Sequence, residues 1–234
     1  MVEVGAGLGS LTVALAAAGA EEVVAVELDP RLVPPLEEVA GSLPGVRIEV
    51  ADAVTADWGE VLGRRPGSWK IVANLPYNVA VPVVMRALLT EPRIERLLVM
   101  VQREVGERLA ARPGDEQFGA VSLRVAYRAT AEVVRRVSRT VFWPQPNVDS
   151  VLVSMVRRSP PVAVDEAALW TVVREAFSQR RKTMRGALVR LGFEPDGAAG
   201  VLSACGIEPR ARPEELGLEE FACLAEEWLR IGRR

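Results

Sequence analysis

The 234-residue chain contains no histidine, two cysteines and two lysines. Without histidine, the usual zinc sites and imidazole-based acid–base catalysis are excluded. Cys205 and Cys223 are far apart and form no C-x-x-C pair, so the simple reading is two thiols in a reducing cytoplasm. No stretch approaches 18 uninterrupted apolar residues, and no membrane span is expected. The opening residues, MVEVGAGLGS, carry no basic segment and no signal-peptide pattern. Internal repeats and low-complexity tracts are absent too.

What is present is a large apolar fraction, 49%, ample for a real core. Net charge is −2, so the chain as a whole is not a polycation. Apart from Lys70 and Lys182 its cations are all arginine, a side chain suited to planar, bidentate phosphate contacts where it clusters.

The first hundred residues alternate short β-branched runs (MVEV, EVVAVEL, VRIEVAD, WKIVANL, IERLLVMVQ) with helical segments. That alternation predicts an α/β fold with a mostly parallel, Rossmann-like sheet covered on both faces. Two further β-rich stretches, LRVAYRATAEVVRRV and DSVLVSMVRR, read as antiparallel additions at one side. From Asp165 onward only helical patterns follow. Pro160-Pro161 is the natural linker, which predicts a catalytic domain over residues 1–159 and a small all-α domain over 162–234.

Gly5, Gly7 and Gly9 in VEVGAGLGS fall directly after a strand and open a helix. Glycines there permit a tight turn and close approach of backbone to a ligand. The dinucleotide fingerprint G-x-G-x-x-G is not met, and G-x-G-x-G fits a nucleoside lacking a pyrophosphate. Glu27 ends the second strand, where a carboxylate can take both ribose hydroxyls, while Asp29 before Pro30 suits a helix cap. Asp52 ends the third strand and can accept from an adenine amine. Asn74-Leu75-Pro76-Tyr77 ends the fourth. Taken alone NLPY is either a turn or a docking point for a flat, amine-bearing base.

This series of strand ends resembles the class I S-adenosylmethionine-dependent methyltransferases, and NLPY resembles their motif for methylating exocyclic amines of bases. The resemblance narrows further on FWPQPNVDS and on AFSQRRKTMRGAL, which are similar to segments of the ribosomal RNA adenine dimethyltransferases. It extends from Val2 to about Leu229, and QREVGERLAARPGDEQFG matches as well.

The resemblance implies a cofactor site of Glu3, Gly5, Gly7, Gly9, Glu27, Leu28, Asp52, Ala53 and Asn74, holding S-adenosyl-L-methionine. Asn74 and Leu75 would position the amine, Pro76 would stiffen the loop, and Tyr77 and Phe142 would sandwich the base. Trp143 takes the motif's variable position, and packing of both rings into the core is the alternative. Arg174, Arg180, Arg181, Lys182 and Arg185 would grip RNA phosphates, or merely form a solvated helix face. The implied partner is 16S rRNA in the small ribosomal subunit or its precursor, with no metal, no membrane and a monomeric protein. Two rival readings are a 23S rRNA methyltransferase of the resistance type and a non-catalytic RNA-binding assembly or transcription factor. Family members also carry a segment before the first strand with a Gln-Asn/His-Phe-Leu motif, which nothing here matches; cofactor cover is therefore expected to be incomplete.

Overall fold

The computed structural model describes residues 1–63, 66–179 and 182–231. The apolar runs form a seven-stranded sheet: β1 (Val2–Val4), β2 (Val23–Glu27), β3 (Val46–Val50), β4 (Trp69–Asn74), β5 (Ile94–Gln102), β6 (Ala129–Val137) and β7 (Ser150–Arg157). Their order is β3-β2-β1-β4-β5-β7-β6. β1 to β5 run parallel, and β7 is antiparallel to both β5 and β6. Every residue of β1 and β2 is buried, as expected of strands covered on both faces. The expected mostly parallel sheet with antiparallel addition and a helical remainder is what forms.

Helices α1 (Ser10–Ala17), α2 (Val33–Ala40), α3 (Trp58–Leu62) and α4 (Ala80–Thr90) connect the parallel strands. After β5 come α5 (Arg103–Ala110) and α6 (Ala120–Arg128), and after β7 come α7 (Glu166–Ser178), α8 (Met184–Arg190), α9 (Pro195–Ala204) and α10 (Leu218–Ile231). The chain builds outward from β1 to β3, then returns to place β4 on the other side of β1. Such a reversal opens a crevice at the carboxyl ends of the two central strands.

Two close fits hold the sheet to its helices, the second of them at the edge away from that crevice. Gly106 of α5 lies so near β7 that an added Cβ would stand 2.2 Å from a Val151 methyl and 3.0 Å from one of Val153. Arg157, the last residue of β7, donates to the carbonyls of Ala87, Leu88, Glu91 and Ile94 at 2.7–3.0 Å. Ala87 and Leu88 lie in the last turn of α4 and Glu91 caps it; the guanidinium gives Leu88 its donor, adds a second one to Ala87 and Glu91, and complements the helix dipole.

The chain divides into two compact units, Met1–Glu107 with Arg128–Arg157, and Arg108–Tyr127 with Arg158–Arg234. The linker expectation thus needs an amendment, because residues 108–127 go with the helical unit. Their apolar side chains Phe118, Leu123 and Tyr127 are buried in one cluster with Leu169, Val173 and Phe221. The stretch LRVAYRATAEVVRRV is accordingly half helix, with α6 ending at Arg128 before β6 begins.

Two smaller readings are also corrected. Asp29 does not cap α2, which starts at Val33; it heads a turn in which its carboxylate accepts from Arg31 N at 3.0 Å. Cys205 and Cys223 are not separate thiols. The end of α9 meets α10 with the two Cα atoms 5.8 Å apart, and the cysteines are joined in a disulfide. That bond sits least easily with a reducing compartment.

Candidate active site

The glycine loop is built from backbone geometry that only glycine adopts freely. Gly5, Gly7 and Gly9 all have positive φ, between 57° and 84°. Gly9 also lies so close to α2 that a Cβ would meet Leu36 Cδ1 at 2.9 Å. The turn carries the chain from β1 into α1 and presents the Gly7 N–H to the Glu27 carboxylate at 2.8 Å.

Glu27 is 7% exposed, and its other oxygen accepts from the N–H groups of Leu28 and Asp29 at 2.8 and 2.9 Å. Three backbone donors therefore fix the carboxylate at the carboxyl end of β2. One lone pair on Oε2 is left for a further donor. Asp52 follows β3 and uses Oδ1 to accept from Val54 N at 2.9 Å. Among the described residues its Oδ2 has no partner. Between these carboxylates lies a small cleft with apolar walls from Leu28, Ala53, Val54, Val79 and Val83, and with Gly5 and Pro76 at its floor.

Glu3 lies apart from that cleft. It is 2% exposed inside β1 and accepts a hydrogen bond from the Thr12 hydroxyl of α1. Burial pushes its pKa from 4.5 up to about 7, against the opposing Thr12 hydrogen bond, with the Glu27 charge adding to the rise. Its place is behind the glycine loop, as a support rather than a wall.

Asn74 closes β4 beside this cleft and is exposed; among the described residues its amide makes no hydrogen bond. Leu75 is buried, and its N–H bonds to the Met100 carbonyl of β5 at 3.1 Å, which pins the chain as it leaves the sheet. Pro76 is exposed and Tyr77 half-buried. The Tyr77 hydroxyl shares a 2.9 Å hydrogen bond with the hydroxyl of the fully buried Ser150. Ser150 opens β7 straight after the segment FWPQPNVD, so this bond ties NLPY to the loop bearing Phe142.

That loop is fixed at its base. Arg139 N donates to Asp149 Oδ1, its guanidinium donates to the Asn147 carbonyl, and Arg103 N donates to the Asp149 carbonyl, each at 3.0 Å. Phe142 is half-buried, and Trp143 is 97% exposed, so core packing of Trp143 is overturned. The ring stands in solvent, on a loop bounded by Pro144 and Pro146.

The pattern of the ribosomal RNA adenine dimethylase family matches residues 1–228. The chain belongs to that family.

Within it, the ribosomal RNA small subunit methyltransferase A of Moorella thermoacetica is 44% identical over 235 residues, covering 96% of this chain and 81% of that protein. The crystal structure of a dimethyladenosine transferase from Plasmodium falciparum shares the fold, with a TM-score of 0.80 at 23% identity over 99% of this chain and 90% of that one. The crystal structure of the 23S rRNA methyltransferase ErmE gives a TM-score of 0.72 at 26% identity, covering 97% and 89%.

The basic stretch of the family's helical unit is not one continuous helix. Arg174 is exposed on α7, Lys182 lies between α7 and α8, and Arg185 is exposed on α8. Arg180 and Arg181 lie outside the described residues. The stretch's single acid, Glu175, is paired with Arg190, which removes its charge from the local balance.

Sequence reasoning missed three contributors. Val79 and Val83 wall the cleft from the first turn of α4, and their signal was only the apolar face of that helix. Ser150 was quoted within VDS without a role. Arg157 lay within DSVLVSMVRR with no role assigned.

Proposed function

We propose that the protein is a ribosomal RNA adenine dimethyltransferase that transfers methyl groups to the exocyclic amine of two adjacent adenines near the 3′ end of 16S rRNA. The observation that carries this reading is the free Asn74 amide at a strand end, flanked on one side by the Glu27–Asp52 cleft and on the other by the Tyr77–Ser150 tie. The small-subunit target is supported by the 44% identity to ribosomal RNA small subunit methyltransferase A.

The residues of the cleft fit S-adenosyl-L-methionine. Glu27 Oε2 and Asp52 Oδ2 retain acceptor capacity for hydroxyl and amine donors, and the valine, leucine and alanine walls suit a flat purine. When bound, that cofactor supplies an electrophilic methyl group on a sulfonium.

The protein's own contribution is orientation. An adenine amine is a poor nucleophile because its lone pair is delocalised into the ring. Hydrogen bonds from the NH2 to the Asn74 side-chain oxygen and the Leu75 carbonyl favour a pyramidal nitrogen with its lone pair aimed at the incoming carbon. Tyr77 and Phe142 hold the base by stacking. Transfer of that methyl would leave the sulfur neutral with the electron pair of the former S–C bond, and the amine nitrogen would release its proton to water. No strong general base is needed, consistent with a chain that lacks histidine.

Arg174, Lys182 and Arg185, with Arg180 and Arg181, would hold RNA backbone. Among the described residues no helix is long and apolar enough to cross a membrane. A ribosomal substrate would put the protein, acting as a monomer, in the cytoplasm, where the Cys205–Cys223 bond would be open to reduction.

The test is incubation with undermethylated small subunits and labelled cofactor, followed by mapping of reverse-transcription stops. Stops at two adjacent adenines near the 3′ end of 16S rRNA are expected. Stops confined to 23S rRNA would favour the resistance-type reading, and failure to bind cofactor in calorimetry would favour a non-catalytic RNA-binding role.

A further inference from the structure

A second, larger cleft of about 370 Å3 opens at the same sheet edge, beyond Tyr77, and the reading above leaves it unused. Its walls come from the end of β5, the start of α5 and the base of the aromatic loop: Gln102, Arg103, Glu104, Arg139, Asn147 and Asp149. Its place relative to the base site follows from pairing. Gln102 is the strand partner of Ser150, and Ser150 holds the Tyr77 hydroxyl. One residue of sheet therefore separates the proposed base clamp from the cleft.

The chemistry of the lining is specific. Among the described residues the side-chain amides of Gln102 and Asn147 make no hydrogen bond. Asn147 contributes only its carbonyl to Arg139. Among the described residues the Arg139 guanidinium has that one carbonyl partner and no carboxylate, and Arg103 pairs with Glu107 at 3.8 Å with more than half its side chain exposed. Asp149 Oδ1 accepts from the Arg139 N–H, and among the described residues its Oδ2 has no partner. Unspent amides read the edge of a single-stranded base, asparagine and glutamine matching adenine's donor–acceptor pair. Guanidiniums with N–H groups to spare take a phosphate, and a carboxylate takes a ribose hydroxyl. The volume suits one small ligand.

We infer that this cleft is a second nucleotide subsite, which holds the RNA residue adjacent to the adenine under methylation. Gln102 and Asn147 read its base, Arg103 and Arg139 hold its phosphate, and Asp149 Oδ2 accepts from its ribose. The inference rests on the proposed function, for it presumes an RNA strand passing Tyr77. It adds a reason for two adjacent targets to share one enzyme, since each docks where the other was.

The test compares equilibrium binding of two RNA hairpins by fluorescence anisotropy. One carries adjacent adenines in its loop; in the other the neighbour of the target adenine is abasic. The wild-type protein is expected to bind the abasic RNA about tenfold more weakly, the size of one good base contact. Gln102→Ala/Asn147→Ala should bind the intact hairpin about tenfold more weakly and lose nothing more on the abasic one. Arg103→Gln should lower the salt dependence of binding by about one phosphate contact. Melting curves of these exposed-site variants should match wild type.

Equal wild-type affinity for the two hairpins would overturn the subsite, as would an undiminished abasic penalty in the double variant. Failure of the functional reading shows separately. It would appear as no methyl incorporation into the intact hairpin or into small subunits, whatever the binding discrimination.

Discussion

The hydroxyls of Tyr77 and Ser150, 73 residues apart in sequence, lie 2.9 Å from each other at the carboxyl edge of the sheet. Ser150 is fully buried and Tyr77 is not, so the bond anchors the tip of a ring whose face stays available. It joins the two loops that the account places on either side of a base. Tyr77→Phe and Ser150→Ala should each lower methyl transfer about fivefold to tenfold, the size of one net hydrogen bond. The double variant should lose no more than either single one, because both remove the same bond. Ser150→Thr, which restores the hydroxyl, should recover part of the rate. Additive losses in kcat/KM would show that the two hydroxyls act separately.

Glu3 gives the fold a pH dependence in a window where the chain has no histidine to titrate. Burial raises its folded pKa from 4.5 to about 7. Between those values the folded protein keeps a proton that the unfolded chain releases, so stability falls as pH rises through the window and levels off above it. The total loss is on the order of 3 kcal/mol. Denaturant melts from pH 4.5 to 8 should show this decline in wild type and a much flatter profile in Glu3→Gln. Parallel profiles would contradict it.

Arg157 satisfies four carbonyls with one guanidinium, three of them at the end of the helix that follows NLPY. Arg157→Ala should cost about 3 kcal/mol, because the carbonyls lose a charged donor at once. Arg157→Lys should recover only part, as an ammonium cannot span four acceptors in a plane. Chemical denaturation measures both, and a loss below 1 kcal/mol (roughly one hydrogen bond) in Arg157→Ala would contradict the capping role.

Gly106 is held by approach rather than by backbone angle. Gly106→Ala should destabilise the protein by about 1–3 kcal/mol, since a Cβ must displace methyls of Val151 and Val153. A thermal midpoint equal to wild type would show that β7 yields without cost.

Much of the site was legible because its residues are punctuated by strand ends. Glu27 and Asn74 follow apolar runs and Asp52 an alternating one, VRIEVA, and a parallel sheet brings successive strand ends to one edge. Gly5, Gly7 and Gly9 were legible because positive φ leaves few alternatives to glycine.

What escaped was set by tertiary packing. In LRVAYR the residues Leu123, Val125 and Tyr127 alternate like a strand, yet all three are buried on a helix. Leu123 and Tyr127 also stand four apart, so a run this short fits either period. Trp143 was placed between core and surface, because composition cannot say whether a proline-bounded loop folds back. Ser150 and Arg157 owe their roles to partners more than sixty residues away, and Cys205 found Cys223 only through the meeting of α9 with α10.

The central claim is that the Asn74 amide orients a base amine for methyl transfer while taking no part in holding the fold. The most direct measurement is the single-turnover rate of methyl incorporation into undermethylated small subunits by Asn74→Ala, beside its melting curve and its affinity for cofactor. The account predicts a wild-type melt, near-normal cofactor binding and a rate reduced at least a hundredfold, on the order of 3 kcal/mol of transition-state stabilisation. Dimethylation at a near-normal rate by that variant would contradict it.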